Sequence, residues 1–443
     1  MSRVISADWV LPVEGAPIEN GAVAIEDGRI AAVGRADELG AGTHYADAVV
    51  VPGFVNAHSH LEYAVYGGFG DGLGDFAEWI TLHIQRKARI GWEEYVDIAR
   101  FGAAQCLGSG ITTVGDCSYS GATAVAAADL GLRATVYLEV FGGDATAGLE
   151  QFAEIRERVG GFFSDRVRPG VSPHAPYSVS LDLYRACAEL GLPVATHISE
   201  SPAEILYVTR GEGPWGAYSD LLVPPPGKTG TRLLAENGLL GRDVVAAHCV
   251  MVEPDEIELL ATTETGVAHC PRSNGALGCG VAPLTELRAA GARVGVGTDS
   301  PASAPSFDFF EELRTVVLSA RARAQRPSAL SAAETLELGT LGGARALALD
   351  EEIGSLMPGK RADLAVVSLA DSPYAPVEDP AAAVVLGGSP DRVLATYVDG
   401  EARYERGGME WHELTAAAVN ARRAMLAAPA AAEAAAVAAA PRA

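Results

Sequence analysis

His58 and His60 stand one residue apart at the end of the apolar run VPGFVNAHSH. On a β-strand side chains alternate between faces, so this spacing sends both imidazoles to one side, where both can reach a single ion. Alone, such a pair is weak evidence. Further donors end other apolar runs: His197 in THISE, His248 in AAHC and the carboxylate of Asp299 in VGTDS. Three of these four imidazoles with the one carboxylate suit Zn²⁺ or Fe²⁺, whereas Mg²⁺ or Ca²⁺ would need more oxygen ligands. Glu200 follows His197 by three residues. As the strand turns into its loop, a carboxylate at this offset can stand beside a metal without binding it, where a proton shuttle is needed. A solvated loop glutamate is the plain alternative.

These residues need elements to position them. Eight short apolar runs qualify as strands: 53–60, 111–116, 133–140, 167–174, 193–199, 243–249, 266–270 and 293–299. Ala/Leu-rich helical stretches such as DIARFGAAQCLGSG separate them, which is the rhythm of a parallel α/β sheet. Eight units predict a closed (β/α)8 TIM barrel, with an open doubly wound sheet as the alternative. Six of the nine histidines (His58, His60, His174, His197, His248, His269) fall at the C-terminal ends of these runs, the rim where such barrels gather catalytic groups.

Residues 1–52 carry strand patterns broken by Glu-Asp-Gly and Pro-Gly, which suits a small antiparallel sheet. Strand patterns return after residue 355 in GSLMPGKRADLAVVSL, VVLGG and RVLATYVDGEARYE. The expected organisation is a barrel over 53–354 and one discontinuous small β-sandwich domain from both termini, 1–52 and 355–412. An exposed Ala-rich helix fraying into a tail follows at 413–443.

Composition narrows the partners. The 443 residues carry 33 basic and 57 acidic side chains, a net charge of 33 − 57 = −24. That balance disfavours nucleic acid and leaves small-molecule substrates. No apolar run is long enough for a membrane span, and MSRVISADWVLPVEG lacks signal-peptide features. The six cysteines are scattered without a CxxC pair, so a reduced, cytoplasmic setting is expected. A homodimer is the plainest expectation for assembly.

The ordered set VPGFVNAHSH, HISE, AAHC, HCPRSN and VGTDS, followed by GSLMPGKRADLAVV, resembles the amidohydrolase superfamily in its deaminase and chlorohydrolase branch. The resemblance implies that His58, His60, His197 and Asp299 bind the metal, that His248 contacts the activated water and that Glu200 carries the proton. Two-metal members often bridge their ions through a lysine on the fourth strand. Here that strand reads VRPGVSPHAPY, and the only lysines are Lys87, Lys228 and Lys360, so one ion is implied. The implied reaction is hydrolytic deamination. Water activated by the metal attacks an amidine-like carbon, Asp299 and His248 orient it, Glu200 protonates a ring nitrogen, and ammonia leaves.

His174 in SPHAPYSVS is similar to a substrate-contacting stretch of methylthioadenosine/S-adenosylhomocysteine deaminases, but their ribose-binding Glu, nine residues after a Trp, is here Ala88 after Trp79. The segment HSHLEYAVYGGFGDGLGDFAEWITLHIQRK with CPRSN resembles instead aminodeoxyfutalosine deaminases of menaquinone biosynthesis, although their TDG-x-x-SN reads TDSPAS and then Ala304. That substrate carries a benzoate. The implied contacts are His174, Trp79, Glu62, Ser303 and a cation in RKAR, Arg86 ahead of Lys87. A guanine or pterin deaminase, or a triazine chlorohydrolase, would keep the same ligands. A metal-free assembly homologue normally loses ligands, and none is missing.

Overall fold

The computed structural model describes residues 2–74, 76–215, 222–408 and 411–427. Four strands come first: β1 (Ser2–Val10), β2 (Ile18–Glu26), β3 (Arg29–Arg35) and β4 (Thr43–Pro52). The barrel follows with β5 (Phe54–Ser59), β6 (Ile111–Ser118), β7 (Arg133–Val140) and β8 (Val167–Pro173). It continues with β9 (Val194–Ile198), β10 (Val244–His248), β11 (Gly266–His269) and β12 (Arg293–Val296). The chain ends its strands with β13 (Leu364–Ser368), β14 (Val393–Val398) and β15 (Glu401–Glu405).

Each barrel strand pairs in parallel with the next in sequence, from β5 to β12. A parallel bridge between Ser59 and Asp299 brings the two ends together, so the barrel is nearly closed and the open sheet is excluded. Its strands are buried on both faces, which is why they read as almost unbroken apolar runs. Gly297 is needed at the closure. A Cβ there would lie 2.9 Å from Cys270 Sγ and 3.0 Å from His58 Cβ, so only glycine lets the chain leaving β12 lie against His58.

The two ends of the chain share one seven-stranded sheet, ordered β15-β14-β13-β4-β1-β2-β3. The sheet is mixed, not wholly antiparallel, because β4 runs parallel to β1 while pairing antiparallel with β13. The short helix Ala36–Leu39 carries the chain from β3 back across to that position. Arg133 at the start of β7 ties sheet to barrel, bonding Asp363 Oδ2 at 2.7 Å and Asp399 Oδ1 at 2.6 Å.

Two further expectations change. VVLGG belongs to a helix, Pro380–Gly387, whose N-terminus is capped by Asp379 and opened by Pro380. The C-terminal helix, Trp411–Ala427, is not simply exposed. It buries Ala418, Ala421 and Met425, and Arg422 Nη1 donates to Val65 O at 2.6 Å. The expected tail at 428–443 lies outside the described residues.

Candidate active site

The C-terminal rim opens into a cavity lined by His60, His174, His197, His248, Glu200 and Asp299 from the barrel and by Trp79, His83 and Lys87 from above. The non-glycine residues Ser199, His248, Cys249 and Asp299 all take positive φ (54°, 72°, 47° and 56°) where β9, β10 and β12 turn into their loops. Such conformations are costly and gather where a fold must aim functional groups.

His58, on β5, and His60, just past its end, both reach Asp299, as their spacing leads one to expect. His58 Nε2 lies 3.7 Å and His60 Nε2 3.6 Å from Asp299 Oδ1. The second carboxylate oxygen is occupied, accepting from Ser273 Oγ at 2.6 Å and Ser303 Oγ at 2.8 Å. His197 donates Nδ1–H to His174 O at 2.8 Å, which leaves its Nε2 lone pair free, 3.4 Å from His60 Nε2. His248 donates Nδ1–H to Asn274 Oδ1 at 2.9 Å, and its Nε2 stands 3.8 Å from Glu200 Oε1.

This donor set fits one transition-metal ion. Two nitrogens each about 2.0–2.1 Å from a tetrahedral ion stand roughly 3.3–3.4 Å apart, the separation of His60 and His197. His58 Nε2 is buried without a hydrogen-bond partner, a costly state unless a cation receives it. Burial and neighbouring imidazoles hold His58 well below its usual pKa, and burial takes His197 down to about 3, so both offer lone pairs at neutral pH. Burial raises the pKa of Glu200, as a proton carrier needs. Burial alone would lower His248, but Glu200 and Asp299 carry it above its usual value.

Other expected contacts fall differently. His174 and Trp79 line the cavity. Glu62 does not: it is fully buried beside β6, accepting from Ser118 Oγ, from Ser120 N at 3.0 Å and from Ala122 N at 3.0 Å. Ser303 serves Asp299 and lies outside the cavity lining. Arg86 also lies outside it. The loop after β5 folds into a helix, Phe76–Lys87, whose inner stripe is Trp79, Ile80, His83, Ile84 and Lys87. Each residue turns a helix by about 100°, so Arg86 falls beyond the edge of a stripe on which Lys87 is central.

Lys87 Nζ sits 3.4 Å from the centroid of the Tyr119 ring and 5.0 Å from that of Phe141. Burial lowers its pKa, against the opposing pull of Glu139 and Glu62. His83 stacks on Trp79 with ring centroids 5.2 Å apart. Glu139, buried at the end of β7, reaches to 4.0 Å from His60 Nδ1. Neither residue was among the expected contacts. For Glu139 the signal was available, since it stands two residues after inward-facing Tyr137.

A model of the amidohydrolase family matches residues 49–403. The chain belongs to this family. A short segment of this amidohydrolase, 21–41, also matches an imidazolonepropionase-like composite domain of bacteria. The chain is similar to a 5-methylthioadenosine/S-adenosylhomocysteine deaminase of Symbiobacterium thermophilum, 35% identical over 422 residues, 91% of this chain and 93% of that one. A 5′-deoxyadenosine deaminase of Methanothermobacter thermautotrophicus is 32% identical over 425 residues, 92% of this chain and 94% of that one. A zinc-bound adenosine deaminase from Xanthomonas campestris superposes with a TM-score of 0.84 at 28% identity, covering 96% of this chain and 98% of that one. This amidohydrolase is a hydrolase of carbon–nitrogen bonds. Among the described residues no helix is long and apolar enough to cross a membrane.

Proposed function

We propose that this amidohydrolase deaminates an adenine-type nucleoside, with one divalent ion, Zn²⁺ or Fe²⁺, held by His58, His60, His197 and Asp299. The observation that carries the reading is the facing pair Glu200 and His248, 3.8 Å apart beside that donor set. The ion would supply Lewis acidity and water activated for attack at neutral pH. Asp299 Oδ1 and His248 Nε2 orient the attacking water and accept its proton. Glu200, uncharged when protonated, gives a proton to the ring nitrogen next to the carbon under attack. The carbon–oxygen bond forms, the carbon–nitrogen bond breaks, and the amino group leaves as ammonia. The deaminase names of the relatives support the same chemistry.

A finer reading concerns the arm of the nucleoside. Lys87 makes no ion pair among the described residues, yet it lines the cavity. Ala88, where a ribose-binding Glu would stand, is exposed. An unpaired ammonium favours a carboxylated nucleoside such as 6-amino-6-deoxyfutalosine, over methylthioadenosine.

The test is ammonia release across adenosine, 5′-deoxyadenosine, methylthioadenosine, S-adenosylhomocysteine, aminodeoxyfutalosine, guanine, a pterin and a chlorotriazine. Turnover of an adenine nucleoside is expected. Turnover confined to guanine, the pterin or the triazine would overturn the assignment.

A further inference from the structure

Behind the site lies a carboxylate that the reaction above does not use. Glu204 is fully buried. Its Oε1 accepts from Ser199 N at 2.8 Å and its Oε2 from Glu200 N at 2.6 Å. Two successive amides converging on one anion form a nest, a geometry that needs a left-handed residue, and Ser199 supplies it with φ 54°. On the other side, Ser199 O accepts from Val250 N at 3.0 Å and Met251 N at 2.8 Å, in the loop after His248.

The local sequence predicts something else. Ser201 caps the helix Pro202–Arg210 by accepting from Glu204 N, so Ser201 and Glu204 have the spacing of a capping box. In such a box the Glu returns to the amide of its own cap residue. The same chain does this at Ser331 and Glu334, where Glu334 Oε2 accepts from Ser331 N at 2.8 Å. Glu204 instead passes its cap residue and binds the two amides before it. Helix capping explains Glu334; it leaves the reach of Glu204 unexplained.

We propose that Glu204 is a positioning residue, which fixes the turn at Ser199 and thereby the place where the Glu200 carboxyl stands opposite His248. This rests on the reading of Glu200 as the proton carrier. Reacting groups displaced by about 1 Å lose on the order of 10² in rate. Glu204→Gln puts an NH2 donor where one of the two carboxylate oxygens accepted, so one of the two backbone amides faces a donor and loses its acceptor.

The experiment uses the full-length, metal-loaded enzyme. Glu204→Gln should lower kcat at least ten-fold, with KM within three-fold and metal content unchanged. Glu334→Gln, at the ordinary capping box, should leave kcat unchanged. In the double variant Glu200→Gln/Glu204→Gln, the second change should add little to the first, because both act through one group. A kcat within two-fold of wild type, or a loss that tracks lost metal or raised KM, would overturn the proposal. If Glu204→Gln does not fold, Glu204→Asp takes its place, and failure of both to fold makes Glu204 a folding residue and ends the proposal. Activity surviving in Glu200→Gln alone would sink the proton-carrier reading, whereas a dead Glu200→Gln beside a normal Glu204→Gln sinks only this inference.

Discussion

Ser303 donates its hydroxyl to Asp299 Oδ2 across 2.8 Å. With Ser273 on the same oxygen, the bond turns Oδ1 toward His58 and His60. A carboxylate anchored through one oxygen presents the other in a fixed direction, as a metal ligand must. Ser303→Ala removes one of two anchors. Metal affinity, read by competition with a chelator, should weaken by roughly 10- to 100-fold. Elemental analysis of wild type prepared without chelator should give one ion per chain, and His58→Ala should give none. Two equivalents per chain would contradict the single-ion site.

Glu200 and His248 should be separable from metal binding. Glu200→Gln keeps the shape of the side chain and removes the transferable proton, so kcat should fall by about 10² to 10⁴ with metal and fold retained. His248→Asn should fall comparably. Activity within a few-fold of wild type in either variant, measured by ammonia release, would reduce that residue to a packing role.

What the sequence disclosed followed from periodicity. Alternation placed His58 and His60 together, and the ends of apolar runs placed His197, His248 and Asp299 on one rim. The same rule applied to Tyr137 would have found Glu139. The misplaced residues share another cause. Setting Arg86 ahead of Lys87 overlooks the helical stripe of Phe76–Lys87, which turns His83 and Lys87 inward and leaves Arg86 at its edge. VVLGG is too short for periodicity to separate strand from helix, and the deciding signal, Asp379 before Pro380, lies upstream. Glu62 sits beside the site in sequence, but its partners, Ser118 and Ser120, are set by tertiary contacts, whereas Ser303 turns back within its own loop to Asp299, four residues earlier.

The junction of sheet and barrel should show in acid. Burial tends to raise the pKa of Asp399, but Arg133 and Arg166 outweigh it and hold the group below its ordinary value. A depressed native pKa stabilises the fold above the unfolded value of about 3.9 and loses that contribution as pH falls through the native value. Asp399→Asn should therefore cost about 2 kcal/mol at pH 7. The gap in Tm between wild type and variant should close as pH drops below about 4. A gap constant from pH 7 to pH 3 would show that the charge of Asp399 is not what stabilises the junction.

Lys87 carries the substrate question. Its ammonium lies over the Tyr119 ring, lines the cavity and makes no ion pair among the described residues. Aromatic faces soften the cost of burying a cation, but only about 0.5–2 kcal/mol of it, so an anionic partner is still favoured. Lys87→Met removes the charge and keeps much of the apolar stem. If the substrate arm ends in a carboxylate, kcat/KM for aminodeoxyfutalosine relative to adenosine should fall at least ten-fold, which corresponds to about 1.4 kcal/mol of discrimination. Arg86→Met, at the edge of the helix stripe, should leave that ratio within two-fold. A ratio that moves with Arg86 and not with Lys87 would mean the helix turns its other edge to the substrate. A ratio unmoved by either would remove the carboxylated nucleoside from consideration and leave methylthioadenosine or 5′-deoxyadenosine as the better candidates.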